Sequence, residues 1–283
     1  MPSPQAHGLP EPTTRAGRAA LEALLADPAE ALTAFDFDGT LAPIVADPLT
    51  SAPHPGIVAA LAELSTLVGT VAVITGRAAA TAVRLGGLDR VPGIVVLGHY
   101  GAERWAEGRV IAADPPPGVA LVRAELPALV DASGAPEGTW IEDKGRSLAV
   151  HTRRADDPDR ALELLAAPLA ELARRADLKL EPGRMVIELR PQGVDKGAAL
   201  TSLVEERAAQ RVLYAGDDLG DLPAFAAVAA LRGRGVPGLT VCSSSDEVTE
   251  VAEAADLVVP GPAGLAELLG RLTERIRVRG PGA

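Results

Sequence analysis

Four short polar clusters in this sequence stand directly after apolar runs. Asp36-Phe37-Asp38 follows Leu32-Thr33-Ala34-Phe35. Thr75-Gly76-Arg77 follows Val71-Ala72-Val73-Ile74, and His99 comes two residues after Ile94-Val95-Val96-Leu97. Asp217-Asp218, with Asp221 close behind, follows the run ending at Ala215. Asp195-Lys196 opens a further periodic stretch. Two acids flanking a Phe at the end of a buried strand are costly there without a cation. Acids from two strand ends can supply an oxygen shell to one hard cation. The chain offers no soft ligand set, so Mg2+ is the expected ion. A carboxylate beside Mg2+ can attack phosphorus, because the ion screens repulsion between two anions. A lysine ammonium and a threonine hydroxyl can hold the remaining phosphoryl oxygens. Taken one at a time, Thr75 also reads as a helix cap, Lys196 as a solvated first-turn residue, and Asp217, Asp218 and Asp221 as loop and cap residues.

The elements that must carry these residues follow from periodicity. Short apolar runs at 32–35, 71–74, 94–97, 212–215, 239–242 and 257–259 read as strands buried on both faces. Helical patterns lie at 15–26, 57–68, between Arg77 and Leu85, and at 196–207 and 263–276. This alternation predicts a parallel α/β sheet with helices on both sides, and sites in such sheets form outside the C-terminal strand ends. The pattern changes in the middle of the chain. A helix at 119–130 precedes a hairpin, 140–143 with 147–151, and a helix at 159–175 precedes a second hairpin, 178–181 with 185–189. These strands alternate, which predicts an antiparallel sheet with one open face. The expected organisation is a disordered lead at 1–14, an α/β core over 15–104 and 191–283, and an inserted α+β domain at 105–190 in the order αββαββ.

Composition narrows the partners. The 283 residues carry a net charge of −11, which argues against nucleic acid and anionic membranes as partners. Aromatic residues make up 2%, too few for a single-strand stacking platform. The one cysteine, Cys242, lies in an apolar run and reads as packed core; an internal disulfide, a CxxC pair and a thiolate zinc site are all excluded. No apolar run reaches the length of a membrane span, and 1–14 lacks the charged and apolar regions of a signal peptide, so a cytoplasmic protein is expected. Gly233-Arg234-Gly235-Val236-Pro237-Gly238 fits GxGxxG, but it precedes a strand and carries Pro237, so the dinucleotide reading fails.

The polar clusters resemble, in order, the four motifs of haloacid dehalogenase superfamily phosphatases. Asp36 to Leu41 (DFDGTL) is similar to the DxDGT signature, Thr75 to the second motif, Lys196 to the third, and Gly216 to Asp221 to the fourth. The insert resembles the C2B cap of sugar-phosphate phosphatases. Within that group the chain is similar to the trehalose-6-phosphate phosphatases at 36–43 (DFDGTLAP), 98–103 (GHYGAE), 144–151 (KGRSLAVH) and 188–191 (ELRP), then at Asp195-Lys196-Gly197 and 216–221. It departs from them at Gly220-Asp221-Leu222-Pro223, where Thr-Asp-Glu-Asp is usual, at Thr152, where Tyr is common, and at Tyr100, where the family more often has Gly.

The resemblance implies a Rossmann-like core with a cap, and Mg2+-dependent hydrolysis of trehalose 6-phosphate, a step of trehalose biosynthesis. It implies Asp36 as nucleophile and Asp38 as acid and base. Mg2+ would be held by Asp36, the Asp38 carbonyl and Asp217, with Asp218 or Asp221 orienting that shell. Thr75 and Lys196 would hold the phosphoryl group, and Arg77 and His99 would touch substrate. The cap residues Lys144, Arg184 and Glu188 would hold sugar hydroxyls. His99 also reads as a satisfied loop histidine, and Lys144 and Arg184 as exposed hairpin-tip charges. The expected partner is a small sugar phosphate, bound by a monomer. Sucrose 6-phosphate and a glycosyl-phosphoglycerate remain alternative substrates. A non-enzymatic sugar-phosphate sensor predicts loss of Asp36, Asp38 or Lys196, and all three are present.

Overall fold

The computed structural model describes residues 8–45, 47–112, 114–183, 185–244 and 249–280. In chain order it contains α1 (Arg15–Ala26), β1 (Ala31–Phe35), α2 (Ile57–Leu64), β2 (Thr70–Ile74), α3 (Ala79–Gly86), β3 (Val95–Gly98), β4 (Glu103–Ala106) and β5 (Arg109–Ala112). Then come α4 (Pro117–Ala132), β6 (Trp140–Asp143), β7 (Leu148–His151), α5 (Pro158–Arg175), β8 (Leu178–Gly183) and β9 (Val186–Pro191). The chain continues with α6 (Lys196–Glu206), β10 (Arg211–Gly216), α7 (Leu222–Gly233), β11 (Gly238–Ser244), α8 (Thr249–Ala254), β12 (Leu257–Pro260) and α9 (Gly261–Arg279). The described residues form two compact units, one running to Ile111 and resuming at Asp195, the other spanning Ala112–Val194.

The first unit is built on a sheet in the order β12-β11-β10-β1-β2-β3-β4-β5. Neighbours from β12 to β3 pair in parallel. Because side chains alternate across a strand, each strand contributes to two cores. Phe35, Val73, Leu213 and Val241 pack with α1, α2 and α9 on one side. Leu32, Ile74, Tyr214 and Cys242 pack with α6 and α7 on the other. Burial on both faces is why these strands read as solid apolar runs.

Two features depart from the expectations. The segment 103–112 forms a hairpin at the sheet edge, with Leu97 opposite Arg104 across an antiparallel pair. The first unit therefore extends to Ile111 rather than to 104. The hairpin turns at Glu107-Gly108, both at positive φ (50° and 77°), which suits the twist of a tight two-residue turn. Of the expected disordered lead, residues 1–7 lie outside the described residues, whereas 8–14 are fastened down. The Thr13 amide donates to the Asp256 carbonyl at 2.7 Å, and the Thr14 hydroxyl both donates to the Asp256 carboxylate and accepts from the Gly17 amide at 2.9 Å, capping α1.

In the second unit a sheet ordered β6-β7-β9-β8 packs one face on α4 and α5. Leu148, Val150, Ile187 and Leu189 point into that core, and Ala149 and Glu188, paired in register, point to the other face. The alternation seen in the sequence is this division.

Asp256 joins distant parts of the first unit. Its carboxylate accepts from the Thr240 amide and hydroxyl, each at 2.9 Å, and from Arg232. Burial alone would raise its pKa, but the bonds from Thr14 and Thr240 and the Arg232 charge hold it below the ordinary range. A group with a lowered folded pKa stabilises above its unfolded value, near about 3.9, and ceases to as the pH falls through the folded value. Asp256→Asn is expected to cost about 2–4 kcal/mol in urea unfolding at pH 7. The gap from wild type should close as the pH drops below about 4; a constant gap between pH 6 and pH 3 would count against this account.

Candidate active site

Chain order reverses between β1 and β10, which lie side by side at the centre of the sheet. A crevice at such a reversal is where open α/β sheets bind ligands. Phe35 pairs with Ala215, and the Asp36 amide donates to the Ala215 carbonyl at 2.9 Å. Strand alternation sends Phe35 and Phe37 into one core and leaves Asp36 between them, buried at the strand end. The chain then doubles back, with the Leu41 amide bonding the Phe37 carbonyl at 2.9 Å. Gly39 stands at φ +78°, and a Cβ there would overlap the Asp217 carboxylate. The Thr40 hydroxyl donates to Asp217 Oδ1 at 2.9 Å.

Lys196 is the charge that answers these acids. Asp195 caps α6 by accepting from the Ala198 amide at 2.8 Å, which sets Lys196 in the first turn. The buried Lys196 Nζ lies 2.9 Å from Asp36 Oδ1 and 2.8 Å from Asp221 Oδ1. Asp221 is fully enclosed and packs so close to Gly216 that a Cβ there would overlap its carboxyl carbon. Its Oδ1 also accepts from the Tyr214 hydroxyl at 2.6 Å, and its Oδ2 accepts from the Asp217 and Asp218 amides at 3.0 and 3.2 Å. Those four donors fill the lone-pair positions of a carboxylate.

Burial is the first cause of the electrostatics here. It opposes the Lys196 charge, but Asp221 and Asp36 outweigh it and hold the ammonium well above its ordinary range. Burial also opposes the Asp221 charge, which Lys196 and Tyr214 keep below the ordinary range. Asp36 is pushed well above it by burial, despite Lys196, and Asp217 is pushed to about 8 by burial and by the charges of Asp221 and Asp218. Oxygens of Asp36, Asp217 and Asp221 lie within 4.8 Å of one another. A crowded, all-oxygen, buried donor set fits a hard divalent cation. Asp221 has four donors already, which leaves Asp36 and Asp217 with more open oxygen positions for such a cation.

The other candidate residues of the first unit lie on the loops that follow β10, β2, β1 and β3. Asp218 is 59% exposed and caps the short turn at 219–221 by accepting from the Gly220 amide at 2.9 Å, outside the three-acid group. Thr75 follows β2, is buried, and its hydroxyl accepts from the Arg77 amide at 3.2 Å. The Asp38 side chain is outside the three-acid group. Arg77 grips it with two bonds of 2.6 Å, Nε to Oδ2 and Nη2 to Oδ1, and its Nη1 donates to the Pro48 carbonyl at 2.8 Å. The Ser51 hydroxyl adds a bond of 3.2 Å to Asp38. Expected as a substrate contact, Arg77 is here the partner of Asp38. His99 is buried with Nε2 3.6 Å from Glu103, whose other oxygen accepts from the Ala79 amide at the start of α3. His99 and Tyr100 stand at positive φ (47° and 59°), and their amides bond the carbonyls of Arg77 and Thr75 at 2.9 Å. This strained turn braces the Thr75-Gly76-Arg77 loop.

In the second unit Glu188 accepts from Lys144 Nζ at 3.1 Å and from the Ser147 hydroxyl at 2.5 Å. Arg184 lies outside the described residues. Sequence reasoning missed Tyr214, Thr40, Ser51, Ser147 and Glu103. Tyr214 had one usable signal: a hydroxyl in an apolar strand needs a buried partner, and the acids that follow the strand supply it.

Residues 34–260 match the family model described as Trehalose-phosphatase. The chain is 36% identical over 254 residues to the trehalose-phosphate phosphatase of Mycobacterium marinum, covering 87% of this chain and 62% of that protein. It thus spans less than two thirds of that relative's length. It is also 36% identical over 204 residues to a probable trehalose-phosphate phosphatase of Sinorhizobium fredii, covering 70% of this chain and 74% of the other. The solved C-terminal domain of a C. albicans trehalose-6-phosphate phosphatase superposes with a TM-score of 0.72 at 23% identity, covering 95% of this chain and 99% of that one, a likeness of fold.

A divalent cation at ten times its Kd should raise the melting temperature by about 2–5 °C. Asp217→Asn should abolish that shift while leaving the metal-free protein folded by circular dichroism. A full shift in the variant would remove Asp217 from the ligand set.

Proposed function

Because the chain belongs to the trehalose-phosphatase family, we propose that it hydrolyses trehalose 6-phosphate to trehalose and inorganic phosphate, a step of trehalose biosynthesis. The observation that carries this reading is the buried Lys196 ammonium bridging Asp36 and Asp221 beside Asp217. It is a site built to receive a phosphoryl group at the C-terminal edge of a sheet.

Asp36, the Asp38 carbonyl and Asp217 would hold Mg2+, which when bound screens the charge between phosphate and the attacking carboxylate. The Asp36 carboxylate attacks phosphorus, and the bond from phosphorus to the sugar 6-oxygen breaks. Asp38 gives its proton to that departing oxygen, leaving an aspartyl-phosphate at Asp36. Asp38 then takes a proton from water, whose oxygen attacks phosphorus; phosphate leaves and the Asp36 carboxylate is restored. The Thr75 hydroxyl and Lys196 ammonium donate to the phosphoryl oxygens throughout. For these proton transfers the Asp38 carboxyl leaves the Arg77 and Ser51 bonds that hold it in the structure. Asp221, not Asp218, orients the acids. Lys144, Arg184 and Glu188 of the second unit hold sugar hydroxyls, the cations donating and the carboxylate accepting. The chain acts as a monomer in the cytoplasm. Among the described residues no helix is long and apolar enough to cross a membrane.

Phosphate release from trehalose 6-phosphate, sucrose 6-phosphate and a glycosyl-phosphoglycerate, with and without Mg2+, tests the assignment. Trehalose 6-phosphate with Mg2+ is expected to be the preferred substrate. Asp36→Asn should lower turnover by about a thousandfold or more at unchanged fold. Preference for another ester would reassign the substrate, and near-normal turnover by the variant would overturn the mechanism.

A further inference from the structure

We infer that Tyr214 is a positioning residue: its hydroxyl, acting through Asp221, sets the Lys196 ammonium against the Asp36 carboxylate. Tyr214 lies in mid-strand on β10, with Ala34 on one side and Thr240 on the other in register. Its ring is fully buried and meets Phe225 of α7 edge to face, with centroids 6.1 Å apart. A strand flanked on both sides and an enclosed ring leave the hydroxyl no freedom to wander. It donates to Asp221 Oδ1 at 2.6 Å, the oxygen that also takes Lys196 Nζ at 2.8 Å, and the same ammonium reaches Asp36 Oδ1 at 2.9 Å.

The four groups form one chain, Tyr214 to Asp221 to Lys196 to Asp36, and its members differ in rigidity. Asp221 sits in a single short turn at 219–221, and Lys196 is a flexible side chain at the start of α6. The neighbours of Asp221 in sequence, Gly220 and Leu222, offer it no polar side chain. Among the described residues, the side chains that donate to Asp221 are those of Lys196 and Tyr214. The Asp217 and Asp218 amides hold Asp221 Oδ2, and Tyr214 is the side chain that ties Oδ1, the oxygen facing the ammonium, to the register of the sheet. Without its hydroxyl, Asp221 Oδ1 keeps one donor, and the ammonium is free to redistribute between the two acids. The kinetic consequence rests on the phosphatase assignment; the placement of Lys196 does not.

Tyr214→Phe in the full chain removes the hydroxyl and keeps the ring. The sequence holds three lysines, Lys144, Lys179 and Lys196, so the side-chain ammonium signals are readily assigned in 15N NMR of the substrate-free protein. The Lys196 signal is expected to shift or broaden in the variant while those of Lys144 and Lys179 stay in place. Turnover of p-nitrophenyl phosphate is expected to fall about tenfold with KM within twofold, since a misplaced charge weakens the reacting geometry more than binding. An unchanged Lys196 signal in the folded variant overturns the inference. So does the absence, in the wild-type chain, of a nuclear Overhauser effect between the Lys196 ammonium and the Tyr214 ring, a reading that needs no variant to fold. Failure of the wild type to hydrolyse any phosphate ester would sink the phosphatase assignment instead, and the Lys196 signals would still decide the role of Tyr214.

Discussion

A single ammonium in a nest of buried carboxylates is the constraint from which the first unit takes its shape. Asp36, Asp217 and Asp221 come from neighbouring strand ends, where their charges repel and burial penalises each of them. Lys196 reaches only two of the three. The remaining negative charge suits a cation, and burial, with the neighbouring carboxylates, raises the pKa of Asp36 and Asp217. Much of the local backbone serves this crowding. Gly39 and Gly216 lack the Cβ atoms that would overlap the Asp217 and Asp221 carboxylates, and the Asp217 and Asp218 amides turn inward to hold Asp221 as well.

The polar clusters were legible in the sequence because the chemistry demands particular residue types directly after buried strands, and few other uses put them there. The parallel sheet was legible for a related reason: strands covered on both faces cannot be polar. What escaped was decided by partners far away in the chain. The 103–112 hairpin is short, and its second strand is wholly exposed, so neither alternation nor a solid apolar run betrays it. Residues 8–14 look like a solvated lead until Thr13 and Thr14 meet Asp256, more than 240 positions on. Spacing places Arg77 beside the site but does not say which anion its guanidinium faces; the structure gives it to Asp38. Tyr214 was hidden because an aromatic residue in an apolar run reads as packing.

The second unit shows the same division between what patterns reveal and what contacts decide. Its alternating strands announce a sheet with two unlike faces; Ala149 and Glu188 stand on the face away from the helices, but both are buried there rather than open to solvent. Lys144 and Ser147 already donate to Glu188, so its charge is answered within the unit.

The interruption of the first unit by the second bears on how the molecule is made. β1 and β10 are adjacent at the centre of the sheet, yet their paired residues, 31–35 and 211–215, lie far apart along the chain. During synthesis Asp36 leaves the ribosome long before β10 exists, so the central strand waits with an open edge. The intervening unit has its own core and can fold meanwhile, which shortens the span of loose chain that must close. Pairings of such long range are slow to form and expose strand edges while they wait. The acids at the ends of β1 and β10 therefore cannot be brought together until β10 has emerged, some 180 residues after β1.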